Sequence, residues 1–442
     1  MHITPAFKNI LDVDTANRHL DLQRWKTAEG TRVLFAETHD EPLVTIRLDF
    51  AAGSCRDGEH PGLSKLTNSM LDEGISEMNA EQLASAFKEL NAEYRSNNTA
   101  DLSCIGLQFS SAPLQRDAAV SLLAQVVGRP SLRADSFNKM QTAVVGLWQK
   151  EESLPGTRFH ALQTKHIYNG HPYFNIPGGS STEVAARTLE QVRTAHHENF
   201  GASNLTVTLV GDLSRDDAQA MINTIIAQLP ASPKLAALPA PVWPGPDAQH
   251  YEEPTVGMTG MITFPSVNRA HPDHVALTVA NHIFGNSGDK NSRLMREVHI
   301  KRNLYKRPSS TLHQLGTVGE WSINWRTREQ YREASRQLLT RMLEDFLRDG
   351  PTAEELAQAC SALLGSYPLH TVSHWHINTL LQPIAIHDLP LDTPERFARE
   401  LMALTPHDIV AAMNRHYVMD QLLYTSMGPT VDQQPLPPLA HE

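Results

Sequence analysis

Cysteine is nearly absent from this chain. Cys55, Cys104 and Cys360 are the only three in 442 residues, too few and too scattered for a disulfide framework or a thiolate zinc knuckle. An excess of positive charge is also lacking. The 38 Lys and Arg residues stand against 49 Asp and Glu, for a formal net charge of -11, which argues against nucleic acid or an anionic membrane surface as the main partner. No apolar run approaches the roughly 20 residues of a membrane-spanning helix. The start, Met1 to Lys8, lacks the basic segment followed by an apolar one that marks a secretory signal. The cytoplasm is therefore the expected compartment, or the periplasm if a signal peptide has been removed. P-loop, dinucleotide fingerprint and G-x-S-x-G elbow are all missing, so neither nucleotide chemistry nor serine acyl transfer is expected, and Ser54, Ser64 and Ser69 have no setting as nucleophiles.

What is present is enough apolar material, 40% of the chain, for packed cores. The length suggests two or three domains at about 150 residues each. The chain also repeats itself. Thr188-Leu189-Glu190-Gln191-Val192, then Asn199-Phe200 and a strand from Asn204 to Gly211, are matched by Thr405-Pro406-His407-Asp408-Ile409, then His416-Tyr417 and a strand from Gln421 to Gly428. Both ends of the set are offset by 217 residues (405 - 188 and 428 - 211). The repeated unit is a helix capped by Thr188 or Thr405, with Gln191 as a capping-box partner or Pro406 at the first helical position, followed by a strand ending at Gly. Between the copies, residues 229–254 hold Pro230, Pro233, Pro239, Pro241, Pro244, Pro246 and Pro254, which favours an extended linker. The expected organisation is an N-terminal domain over 1–228, this linker, and a C-terminal domain over 255–442.

Val44, Ile46, Leu48 and Phe50 alternate with Thr45, Arg47 and Asp49, the pattern of a strand with one buried face. The turn Ala51 to Gly58 and Pro61-Gly62 lead into Leu63-Ser64-Lys65-Leu66-Thr67-Asn68-Ser69-Met70-Leu71. Here Leu63, Leu66, Met70 and Leu71 recur at helical spacing, and Lys65, Asn68 and Ser69 share the opposite face. That face is where an H-x-x-E-H helix carries two imidazoles and a general base. An ammonium, an amide and a hydroxyl cannot replace them, because zinc takes neutral imidazole, thiolate or carboxylate.

This order of strand, A-G-S-x-x-D turn, P-G-L, helix and M-L-x-x-G resembles the start of the M16 family, the pitrilysin, insulinase and mitochondrial processing peptidase group. The likeness continues through Gly170-His171-Pro172-Tyr173, the strand from Leu205 to Gly211, Asn291 to Val298, and Gly350 to Leu356, where Thr352 and Glu355 form a capping box. It implies an α+β fold of two tandem homologous αβ domains forming half of a peptide-enclosing chamber. It also implies that positions 65, 68 and 69 would be His, Glu and His in an active member, with a Glu about 75 residues further on as third ligand. Here Ala143 to Gln149 occupies that region without a carboxylate, and Glu151 and Glu152 lie just beyond. No metal or cofactor is therefore expected in this chain.

In M16 enzymes the second half supplies an Arg and a Tyr to the substrate from a run like E-V-R-E-K-R-G-L-A-Y. This chain reads Glu297-Val298-His299-Ile300-Lys301-Arg302-Asn303-Leu304-Tyr305-Lys306. His299 stands at the Arg position, and Lys306 at the Tyr position, or Tyr305 if one residue is deleted. His299, Arg302, Tyr305 and Lys306 are the candidate substrate-binding residues, with His299 and Lys306 able to donate to a peptide carbonyl or oxyanion. Two other histidine groups stand out in the sequence. His370 and His374, beside Trp375 and His376, have the spacing of helical metal ligands but lack an acidic or thiolate neighbour, and with 22 histidines in the chain chance suffices. His196-His197-Glu198 fits cationic histidines at a helix C-terminus. Phe284-Gly285-Asn286-Ser287-Gly288 reads as a turn, or as the glycine-rich loop of noncatalytic processing-peptidase subunits.

The resemblance implies a noncatalytic subunit that pairs with an H-x-x-E-H homologue, whose zinc would do the chemistry, and that helps to enclose peptide substrates. The alternative is a stand-alone peptide-binding or scaffolding protein. An enzyme with a different active site would need a nucleophile and base that the sequence does not display.

Overall fold

The computed structural model describes residues 20–286, 289–366, 369 and 371–439. The Met1 to Lys8 segment, Ser287, Gly288 and His370 lie outside the described residues.

The chain divides into two compact units, each assembled from non-contiguous stretches. The first runs through Leu154, resumes over Gly170–Leu238, and takes in the segment holding the helix His374–Ile386. Its strands are β1 (Asp21–Lys26), β2 (Arg32–Glu37), β3 (Leu43–Phe50), the short pair β4 (Gly74–Ile75) and β5 (Met78–Asn79), β6 (Glu93–Asn98), β7 (Ser103–Ser110) and β8 (Leu205–Gly211). Six of them form one sheet in the order β1-β2-β8-β3-β7-β6. The second unit comprises Pro155–Asn169, Pro239–Ser366 and the chain from Asp392 onward. Its strands β9 (Asp247–Glu252), β10 (Met258–Ser266), β11 (Ser309–Gln314), β12 (Gly319–Thr327) and β13 (Leu423–Gly428) form a sheet in the order β11-β12-β10-β13-β9.

The two sheets share one topology, and the duplication is visible strand by strand. β3 lies antiparallel between β7 and β8, as β10 lies antiparallel between β12 and β13. The parallel pair β2/β8 corresponds to β9/β13. Both final strands end at a glycine with φ near 155° (Gly211 155°, Gly428 156°). There a Cβ would meet Leu43 O at 2.5 Å in one copy and Met258 Cβ at 2.9 Å in the other, so a side chain is barred at the same point twice. Thr188 and Thr405 each close a capping box, with Gln191 and Asp408 as the third-residue partners. The expected linker is irregular only as far as residue 246, since β9 forms inside its C-terminal end.

In the first unit, Val44, Ile46, Leu48 and Phe50 pack in one cluster with Val120, Leu123 and Val127 of the helix Pro113–Gly128 and Ile222 and Ile225 of the helix Arg215–Ile226. The other face of β3 departs from the expectation of a strand with a single buried face. Thr45 and Asp49 are buried to 0% and 1% exposure, because the helix His374–Ile386 lies over them. Its Asn378 amide donates to Thr208 O at 2.9 Å, and its Gln382 amide donates to Asp49 Oδ1 at 3.1 Å. Ile377, Leu381 and Ile384 of that helix pack with Leu34, Ala36 and Val210. The Trp375 ring lies against Gly106, where a Cβ would stand 2.4 Å from it. The second sheet has a matching arrangement. Phe159 of the helix Pro155–Ile167 packs with Met261 and Met427, and its Gln163 donates to Thr263 Oγ1 at 2.7 Å. Each sheet therefore hydrogen-bonds a glutamine or asparagine on a helix remote in sequence, although Asp49 Oδ2, Thr208 Oγ1 and Asn378 Oδ1 have no hydrogen-bond partner among the described residues.

Candidate functional site

The expected helix forms over Leu63–Ser69, entered through Gly62 at φ 84°. The Asp57 carboxylate caps it by accepting from Gly62 N at 2.9 Å and Ser64 N at 2.8 Å. Burial pushes the Asp57 carboxyl up to about 7, against the pull of those two donors. Leu63, Leu66 and Met70 pack with Phe137 and Val144 of the helix Ala134–Glu152. This apolar seam holds the helix in place.

The face bearing Lys65, Asn68 and Ser69 is not an open catalytic surface. Asn68 is wholly buried, and its amide nitrogen donates to Ser103 Oγ at 2.7 Å and Asn97 O at 3.3 Å. It thus ties the helix to β6 and β7. Its carbonyl oxygen has no hydrogen-bond partner among the described residues, nor does either amide atom of the buried Asn98 on β6. Lys65 is half-buried, and burial lowers its ammonium pKa while Asp72 works in the opposite sense. Ser69 is half-buried at the end of the helix.

This donor set does not fit zinc. An ammonium offers no lone pair, and amide and hydroxyl oxygens are poor substitutes for imidazole. The third-ligand region is equally unsuited. Val144 belongs to the apolar seam and Gly146 carries no side chain. Glu152 is engaged with the backbone N and Oγ of Ser181, at 2.7 and 2.6 Å. Even the combined change Lys65→His, Asn68→Glu and Ser69→His should therefore add no tightly bound equivalent of zinc over the parent protein in calorimetric titration. A tight additional equivalent would show that a carboxylate does reach the site.

In the second unit, His299 lies in a π-helical turn, Met295–Ile300. Its Nδ1 is buried without a hydrogen-bond partner among the described residues. The Arg302 guanidinium is held by Glu297, donating to its carboxylate at 2.5 Å and its carbonyl at 3.2 Å. Tyr305 packs against the core of the unit, and Lys306 is exposed. Among the other histidines, His196 corrects an expectation. It is buried, stacks on Phe200, and its Nε2 meets Val127 O at 2.8 Å. Burial lowers its pKa, so it serves as a neutral core residue and not as a cation at the helix end. His376 pairs through Nδ1 with Ser373 Oγ at 2.7 Å, where Ser373 caps its helix.

Sequence reasoning missed β6 as part of this site. Its signal was present in the run Glu93 to Asn98, but polar residues throughout hide the period-two pattern of a half-buried strand. β6 is an edge of the six-stranded sheet, and among the described residues no strand pairs with its outer side. Edge strands of this kind can accept another extended chain.

The comparisons with known proteins agree with this geometry. Residues 32–174 match the family model described as Insulinase (Peptidase family M16), and residues 187–363 match the one described as Peptidase M16 inactive domain. The crystal structure of a peptidase M16 inactive domain from Pseudomonas fluorescens is 34% identical, covers 95% of this chain and 100% of its own, and superposes with a TM-score of 0.89. A curated protein of Helicobacter pylori, the non-peptidase homolog YmxG, is 22% identical over 406 residues, covering 89% of this chain and 90% of its own. A structure described as a protease from Helicobacter pylori shares the fold at 16% identity and a TM-score of 0.83, over 93% of this chain and 100% of its own. The helix stands where the family holds zinc, yet carries no zinc ligands, and the chain belongs to peptidase family M16 as a noncatalytic member.

Proposed function

We propose that this chain is the supporting half of a two-chain M16 peptidase. It pairs with a homologue bearing H-x-x-E-H, receives an extended peptide along β6, and leaves bond cleavage to the zinc of the partner. The observation that carries this reading is the outer edge of β6, unpaired among the described residues, beside the Leu63–Ser69 helix, with the amides of Asn68 and Asn98 next to it. A peptide laid on that edge gains backbone hydrogen bonds without needing a particular sequence. Loss of the zinc ligands removes hydrolysis while leaving the strand, the helix and their contact intact.

In this reading the chain encloses half of a chamber that excludes water from the reacting bond. For the second unit taken by itself, His299 and Lys306 are the donors proposed for a peptide carbonyl. Arg302, committed to Glu297, has the supporting role of holding that turn. A second reading, a stand-alone peptide-binding or scaffolding protein, draws on the name of the Helicobacter pylori relative, a non-peptidase homolog.

Isolation of the tagged chain from its host, with mass spectrometry of what accompanies it, separates the two. Recovery of an H-x-x-E-H homologue in equal amount is the expected result, with chelator-sensitive peptide cleavage that neither chain shows alone. Recovery of this chain alone, binding peptides but inert, would overturn the two-chain reading in favour of the second.

A further inference from the structure

We propose that His271, Asp273 and His416 form a transition-metal site in the second unit, suited to zinc, nickel or copper. The proposal is independent of the peptide-binding reading. Each residue offers one ligand atom, and the three atoms lie within 4.8 Å of one another. His416 Nε2 stands 2.8 Å from Asp273 Oδ2, and His271 Nδ1 stands 3.8 Å from the same oxygen. An ion with bonds of about 2.0–2.2 Å to each can bridge such separations. The two imidazoles meet edge to face, with ring centroids 4.9 Å apart, so neither ring blocks the space between them by stacking.

The local structure supports the arrangement. Asp273 occupies the N-cap position of the helix His274–Gly285, where an aspartate ordinarily accepts from the helix backbone, yet its side chain makes no capping bond. It is turned to the last turn of the helix Pro406–His416, where Arg415 donates to both of its oxygens at 2.9 and 2.6 Å. The Asp273 backbone N–H donates to His271 Nδ1 at 3.1 Å, which keeps that nitrogen an acceptor and near the carboxylate. The same N–H bond and the Arg415 contact must yield in part when an ion enters, which places the affinity below that of a dedicated zinc finger.

Two imidazoles and one carboxylate suit zinc, nickel and copper better than calcium or magnesium, and three protein ligands leave a position for water. Asp273 also lines a groove of about 380 Å³ with Glu400, His407 and Asp408. An ion here would clamp the loop before one helix to the end of another. The pattern escaped sequence reasoning because His271 and His416 come from opposite ends of the second unit.

The test is calorimetric titration of the full chain with zinc chloride at about pH 7.5, where a free imidazole is neutral. One saturable equivalent is expected, weakened about tenfold or more by His271→Ala and by His416→Ala, and retained or tightened by Arg415→Met, which removes the competing cation. Absence of saturable binding, or binding unchanged in both histidine variants, overturns the proposal. Should a variant fail to fold, zinc protection of His271 and His416 from diethylpyrocarbonate in the unaltered protein decides it, and full modification in saturating zinc counts against the site.

Discussion

Ser96→Pro should weaken peptide binding about tenfold or more while leaving the protein folded. Thr99 N donates to Leu102 O at 2.8 Å across the turn between β6 and β7. Antiparallel alternation then makes Asn97 with Cys104 and Arg95 with Gly106 the hydrogen-bonded pairs, so the N–H and C=O of Ser96 point to the outer edge. Proline there removes a donor that the sheet does not use, and edge strands tolerate it for that reason. The Ser96 side chain is exposed, and what proline removes from it is the hydroxyl beside Tyr94. A bound peptide loses one hydrogen bond, worth about 0.5–1.5 kcal/mol, and meets the proline ring where its own backbone must approach. Together these should weaken binding by about tenfold or more. Fluorescence anisotropy with a labelled casein digest reads the affinity, and circular dichroism during melting reads the fold. Unchanged affinity in a folded variant would remove β6 from the peptide site.

The largest effect on stability should come from Trp321→Ala. Trp321 is fully buried on β12. Its ring stacks on Tyr417 at 4.5 Å and meets Phe284 edge-on at 5.3 Å, and its indole N–H donates to Asn281 Oδ1 at 3.0 Å. Truncation leaves a cavity between the sheet and the helices His274–Gly285 and Pro406–His416, and strands a polar acceptor. Core tryptophan or phenylalanine to alanine changes cost about 3–5 kcal/mol, and the lost indole bond acts in the same direction. Urea denaturation followed by far-ultraviolet dichroism should show the transition of the second unit moved to much lower urea. A shift below about 1 kcal/mol, the scale of an ordinary substitution, would mean that this aromatic cluster is not what holds the second sheet to its helices.

Much of the fold is written in local patterns. The helix Leu63–Ser69, the strand Leu43–Phe50 and the capped helices after Thr188 and Thr405 each rest on periodicity and a cap within a dozen residues. The lack of zinc chemistry is equally legible, because ligand identity at positions 65, 68 and 69 is a matter of side-chain type. Other features depend on partners far away. The polar face of β3 reads as solvent-facing in sequence, but it is covered by a helix more than three hundred residues on, whose Asn378 and Gln382 hydrogen-bond to the sheet there. His196 reads as a helix-end cation until burial against Val127 and Phe200 makes it neutral.

The sequence by itself determined the duplicated αβ organisation and the lack of zinc ligands at positions 65, 68 and 69, since both follow from spacing and from which atoms can bind zinc. Only the tertiary structure decided that Asn68 is a tether to β6, that β6 is the edge strand of its sheet among the described residues, and that His271, Asp273 and His416 converge. The reason is physical. Hydrogen-bond satisfaction, desolvation and ligand geometry depend on which surfaces meet across the chain, and no local pattern records which distant segment will cover a strand or complete a cluster.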